Sequence, residues 1–185
     1  MPRPSGYPAL PACRRIAVAL AAASISLLLY ACGGEERFSQ RICPRVQVLE
    51  YADRLTEFAQ GAGRDLTDVV LRGRLVNFDG ECNVEDDRVE LDLTVEFLLE
   101  RGPANRRREG RFAYFVAIPE FHPAERGKRV FPVEMKFESG VNRVLYRDEI
   151  SIGIPLTGQR RAPDFNVFMG FQLDRRQLRF NRSGS

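Results

Sequence analysis

The segment RVELDLTVEFLLE, residues 88–100, constrains this chain more than any other. Val89, Leu91, Leu93, Val95, Phe97 and Leu99 recur at every second position, with Arg88, Glu90, Asp92, Thr94 and Glu96 between them. In extended backbone successive side chains point to opposite faces, so the segment has one apolar and one polar face; wound into a helix, the same residues would scatter. Such a strand needs a second layer over its apolar face and water on the other, the usual state of an antiparallel sheet. FPVEMKF repeats the pattern with Phe131, Val133, Met135 and Phe137, and FNVFMGFQL with Phe165, Val167, Met169, Phe171 and Leu173.

Weaker strand signals fill the intervals: VQVLE after Cys43, TDVVLRGRLVNF at 67–78, FAYFVAI at 112–118 and RVLYRDEISIGI at 143–154. FAYFVAI is apolar on both faces, which suits a central strand. FDGE, RGPAN, ERGK, ESGVN and TGQRRAPD punctuate the series as turns. YADRLTEFAQGAG reads equally as a short helical turn or an edge strand. Near the end Asp174, with Gln177 three positions on, has the spacing of a capping box and predicts a short C-terminal helix. About seven strands between turns, all in residues 43–185, predict one all-β domain: an antiparallel β-sandwich of immunoglobulin-like type. A closed barrel is the rival architecture.

The N-terminus has a different composition. Residues 1–15 carry Arg3, Arg14 and Arg15 and no acid, and residues 16–31, IAVALAAASISLLLYA, carry no charge at all. The apolar stretch is shorter than the ~20 residues a spanning helix needs, and its basic flank fits a secretory signal peptide. Leu29, Tyr30, Ala31 and Cys32 resemble the lipobox of bacterial lipoprotein precursors, with Tyr30 standing where a small residue is usual. That resemblance implies cleavage after residue 31, acylation of Cys32 and a lipid bilayer as the first partner. Acyl chains hold a protein on a membrane at about 0.8 kcal/mol per buried methylene. By analogy with sorted lipoproteins, Gly33 after the cysteine points to the periplasmic face of the outer membrane. Residues 32–42 then form the lipidated N-terminus and a glycine-rich, charged tether.

The remaining cysteines follow from that address. Cys13 leaves with the signal peptide and Cys32 takes lipid, so Cys43 and Cys82 remain in an exported chain, where disulfides persist. Their pairing is expected, with two free thiols as the alternative. No CxxC spacing occurs, so neither a redox dithiol nor a zinc ribbon is indicated.

Charge removes one class of partner. The formal charge is +3, but without the three leader arginines 25 basic residues face 25 acidic ones. A neutral domain lacks the net basic footprint of nucleic-acid binding. No catalytic constellation stands out either. His122, in PEFHPAERG, is the single histidine and lacks a GxSxG elbow, so it reads as a loop residue. The run DGECNVEDD places Asp79, Glu81, Glu85, Asp86 and Asp87 together and offers oxygen ligands for Ca²⁺, without the EF-hand order; a charged turn is the simpler reading. RGPANRRREGR groups Arg101, Arg106, Arg107, Arg108 and Arg111, a solvated loop or a seat for a polyanion. Carboxylates for glycan hydrolysis are not singled out by sequence, because their separation is set in three dimensions. No catalytic, cofactor or metal residue is therefore assigned, and no cofactor is expected.

The order of short motifs completes the reading. CP at 43–44, GAGRDLTDVV at 61–70, the cysteine at 82, RGP at 101–103, YFVAI at 114–118 and GFQL at 170–173 followed by NR resemble a family of uncharacterised proteobacterial envelope lipoproteins. The resemblance spans nearly all of the chain after the leader. It implies a lipidated envelope protein with a single β-rich domain and carries over no catalytic residue or ligand. The expectation is a non-enzymatic, membrane-anchored module that binds or scaffolds another envelope protein. Glycan hydrolysis through carboxylates, or Ca²⁺ or polyanion binding, are the alternatives.

Overall fold

The computed structural model of the protein describes residues 42–61 and 63–183. Cys32, the signal peptide and most of the tether lie outside the described residues. Among the described residues there are eight strands: β1 (Arg45–Val48), β2 (Arg54–Phe58), β3 (Val69–Val84), β4 (Arg88–Arg101), β5 (Glu109–Ala117), β6 (Lys128–Lys136), β7 (Arg143–Pro155) and β8 (Asn166–Phe171). A closing helix, α1, spans Arg175–Arg182. The strands form two four-stranded sheets, in the orders β1-β8-β5-β6 and β2-β3-β4-β7. The sheets remain separate layers, as in a sandwich and unlike a closed barrel.

The β4 alternation sets the core. Its six apolar residues from Val89 to Leu99 are each at most 2% exposed. They meet the inner face of the other sheet, where Val167, Met169 and Phe171 of β8 and Phe112 and Tyr114 of β5 are also buried. Phe97 lies at the join, with ring centroids 5.1 Å from Phe171, 5.0 Å from Tyr114 and 5.4 Å from Phe112. As expected for FAYFVAI, β5 is central, flanked by β8 and β6. Pro132 occurs in β6, an edge strand, where a missing N–H breaks no ladder between two neighbours.

Several expectations need correction. The described residues hold eight strands, the undecided segment at 51–63 supplying the edge strand β2. The sandwich is not wholly antiparallel, because β1 runs parallel to β8, with Val46 opposite Val167 and Val48 opposite Met169. The two strands come from opposite ends of the domain, so no hairpin constrains their direction. The strand order also departs from the immunoglobulin arrangement, in which the first, second, fifth and fourth strands share a sheet. Here β2, β3 and β4 form a meander and β7 returns beside β4.

FDGE is not a turn. β3 continues through it to Val84 and pairs with β4 along almost its whole length. A bulge between Leu75 and Asn77 shifts the phase of the strand, so that Leu71 and Gly73 face inward before it and Phe78, Gly80 and Cys82 after it. Gly80 is required there by a close approach, since a Cβ would stand 2.2 Å from the Asp92 carbonyl oxygen.

The predicted capping box is formed. Asp174 Oδ1 accepts from the backbone N–H groups of Arg176 and Gln177, both at 2.7 Å, and Gln177 Oε1 accepts from Asp174 N–H at 2.8 Å. Asn181, only 2% exposed, then donates to the carbonyls of Tyr51 and Arg54 at 2.7 and 2.8 Å, fastening α1 to the start of β2. Phe180 packs edge-on to Phe58, centroids 5.2 Å apart.

Candidate functional site

Cys43 and Cys82 form a disulfide, Cα atoms 5.9 Å apart. Cys43 stands two residues before β1 and Cys82 near the far end of β3, so the bond joins the two sheets where the chain enters the domain. β1 itself has only four residues.

The basic loop at 101–111 does not close a hairpin, because β4 and β5 belong to different sheets. It is a crossover organised around Asn105, which is 5% exposed and donates to the carbonyls of Val70 and Glu109 at 3.2 and 2.7 Å. The Arg101 guanidinium holds the Asn105 carbonyl at 3.0 Å and bonds Asn142 Oδ1 twice, at 3.0 and 2.8 Å. Gly102 passes so close to β3 that a Cβ would lie 2.0 Å from the Val69 carbonyl oxygen. Pinned in this way, the loop leaves Arg106, Arg107 and Arg108 exposed.

Beside it opens a cleft of about 370 Å³ lined by Glu57, Val70, Asn105, Arg106, Glu109 and Arg111, among others. Glu57, at the end of β2 opposite Leu71, is partly buried, and burial pushes its carboxyl above the usual glutamate range. Glu109 instead lies 3.8 Å from Arg111. The cleft thus joins two carboxylates, Glu57 and Glu109, to an arginine rim.

The raised pKa of Glu57 has a consequence for stability. The folded state holds this proton more tightly than the unfolded chain does, so its contribution is present below the unfolded pKa and is lost as pH rises through the folded one. Glu57→Gln is therefore expected to stabilise the protein at pH 7 and to flatten its pH dependence in the weakly acidic range. Urea midpoints at pH 4 and pH 7 check this; a variant less stable than the parent at pH 7 would contradict it.

A second polar cluster lies inside the sandwich. On β7 the inward positions run Val144, Tyr146, Asp148, Ile150, Ile152 and Ile154, which puts a carboxylate in phase with the core. Asp148 Oδ2 accepts from the Tyr114 hydroxyl at 2.8 Å and from the Tyr146 hydroxyl at 3.4 Å. Burial first, and then the carboxylate, hold the Tyr114 phenol far above its ordinary range, and Tyr146 is raised for the same reasons. Both phenols therefore remain protonated donors, and the cluster locks β5 to β7. The expectation from sequence missed Asp148, although the alternation of RVLYRDEISIGI could have found it.

The acidic run is dispersed. Asp79 and Glu81 lie on the outer face of β3, while Glu85, Asp86 and Asp87 form the β3–β4 turn. Arg88 Nε reaches Glu85 at 2.9 Å and Glu90 at 3.3 Å. Among the described residues no group of three or more histidine, cysteine, aspartate or glutamate side chains is disposed to hold a metal ion. His122 is exposed in the loop after β5, its backbone N–H bonded to the Pro119 carbonyl at 2.9 Å. No described helix is long and apolar enough to cross a membrane. Comparison of the chain with protein-family models, curated proteins and solved structures returns no match.

Proposed function

We propose that this protein is a lipid-anchored module of the bacterial envelope, held by acylated Cys32 at the periplasmic face of the outer membrane. Its β domain there binds or scaffolds another envelope component. The observation that carries this reading is the placement of the disulfide. A domain tethered through its N-terminus transmits every displacement of the membrane through its first strand, and here that strand is a four-residue edge strand. The Cys43–Cys82 bond passes such a load to the sixteen-residue β3 in the other sheet. Oxidation of this pair also suits an exported chain. The exposed arginines beside the Glu57 cleft supply a contact surface for an acidic group on the partner.

Cys32→Ala is the test. Expressed from the full chain in a Gram-negative host, the parent is expected in the membrane fraction, released by detergent and not by high salt. The variant is expected to lose that behaviour. A Cys32→Ala protein that still requires detergent for release would overturn the anchoring proposal.

A further inference from the structure

The outer face of the β2-β3-β4-β7 sheet is divided by charge. Toward one end stand Arg54, Arg72, Arg74 and Arg143, with Arg54 directly opposite Arg74 on the neighbouring strand; Glu100, opposite Arg72, is the carboxylate among them and is ion-paired to Arg143. Toward the other stand Asp79, Glu81 and Asp92, with Glu81 directly opposite Asp92. Like charges facing each other across adjacent strands cost stability. Among the described residues no carboxylate lies within ion-pair distance of Arg72 or Arg74, and the nearest to Arg54 is Asp53 at 3.9 Å. Between the two halves the surface is neutral and partly apolar. Arg147 pairs with Glu96, while Val76 and Leu145 are 43% and 53% exposed.

We infer that this face docks a second copy of the same chain, sheet against sheet, with the strands of the two copies antiparallel. The register makes β3 self-complementary, while on β4 the same operation brings Glu100, held by Arg143, over Asp92 of the partner copy. On β3, Arg74 and Asp79 stand equally far from the midpoint between Val76 and Asn77, and so do Arg72 and Glu81. A two-fold axis lying in the interface and crossing β3 at that midpoint sets Arg74 over Asp79 of the partner copy, and Arg72 over its Glu81. The contact is isologous and closes on itself, so the product is a dimer. Val76 then lies over Asn77 of the partner copy, and the Arg147–Glu96 pairs of the two copies come together beside the axis.

A free anion would neutralise only the arginine half and leave Glu81 beside Asp92; a second copy brings opposite charge to the β3 residues of both halves. Area is adequate. β3, β4 and β7 have sixteen, fourteen and thirteen residues. With β2 these strands present roughly 700 Å², near the ~800 Å² per partner of a standard interface. The inference is independent of the anchoring proposal, since it concerns only the folded domain.

The test uses the full chain solubilised in detergent, with its mass determined by sedimentation. At about 0.05 M salt the parent is expected to be a dimer, weakened about tenfold or more at about 0.5 M as exposed charges are screened. Arg72→Glu/Arg74→Glu and Asp79→Arg/Glu81→Arg are each expected to be monomeric, because each gives a face of one sign. An equimolar mixture of the two is expected to restore a dimer containing one of each. A parent that stays monomeric at low salt overturns the inference, as does a dimer that survives in either double variant. A mixture that fails to pair also overturns it; if either variant has failed to fold, the salt dependence of the parent decides.

Discussion

Phe97→Ala is expected to lower the stability of the domain by about 3–5 kcal/mol, the range for deleting a fully buried phenylalanine. The Phe97 ring is wholly buried and stands where the two sheets meet. Its neighbours Phe112, Tyr114, Tyr146 and Phe171 surround it at centroid distances from 5.0 to 6.4 Å. These belong to three strands, β5, β7 and β8, so no single neighbour can move in to fill the void. Two of them, Tyr114 and Tyr146, are further fixed by hydrogen bonds to Asp148, which limits relaxation of the site. Against a typical domain stability of about 5–15 kcal/mol, the loss is a large fraction. Urea unfolding of parent and variant measures it. Val130→Ala, on the exposed outer side of β6, serves as the control and is expected to change stability by no more than about 0.5 kcal/mol. A Phe97→Ala cost below about 1 kcal/mol would contradict the packing described.

Cys82→Ser is expected to cost about 2–4 kcal/mol. The bond spans 39 residues of sequence, and closing a loop of that size in the unfolded chain is worth about 4 kcal/mol on chain-entropy grounds. The folded state adds a local effect, because without the bond β1 is held only by its pairing to β8 and its side chains on the core. Thermal melts with and without reductant check both parts. The reduced parent is expected to match Cys82→Ser, and Cys43→Ser is expected to match them. Reductant-insensitive melting of the parent would contradict the bond's contribution.

The parts of the fold legible in the sequence share one physical cause. β4 and β8 each bury one face against the opposite sheet, so their residues alternate without a break and the register is strongly specified. Asp174 and Gln177 were legible because a capping box is local chemistry at fixed spacing. The second half of β3 was not. The bulge at Leu75–Asn77 breaks the period, and Gly80, needed for close approach to Asp92, imitates a turn glycine. The parallel pairing of β1 with β8 joins chain segments with no local signal between them. The candidate site was less legible than the fold. Arg106, Arg107 and Arg108 were visible as a charge run, but Glu57 looked like any polar residue in an edge strand. Its placement in a cleft comes from the crossover that packs beside it. Asp148 lay in the inward phase of the β7 alternation, but its role shows only once the two tyrosines that bind it are in place.

The central claim, that Cys32 is given to lipid while Cys43 and Cys82 bridge the sheets, is tested most directly by the intact mass of the protein purified from a bacterial envelope. The expected mass is that of a chain beginning at Cys32 with a diacylglyceryl group and an N-terminal acyl chain attached. It should rise by two hydrogens on reduction. A chain that retains residues before Cys32, or one that begins there without added lipid, would contradict the claim.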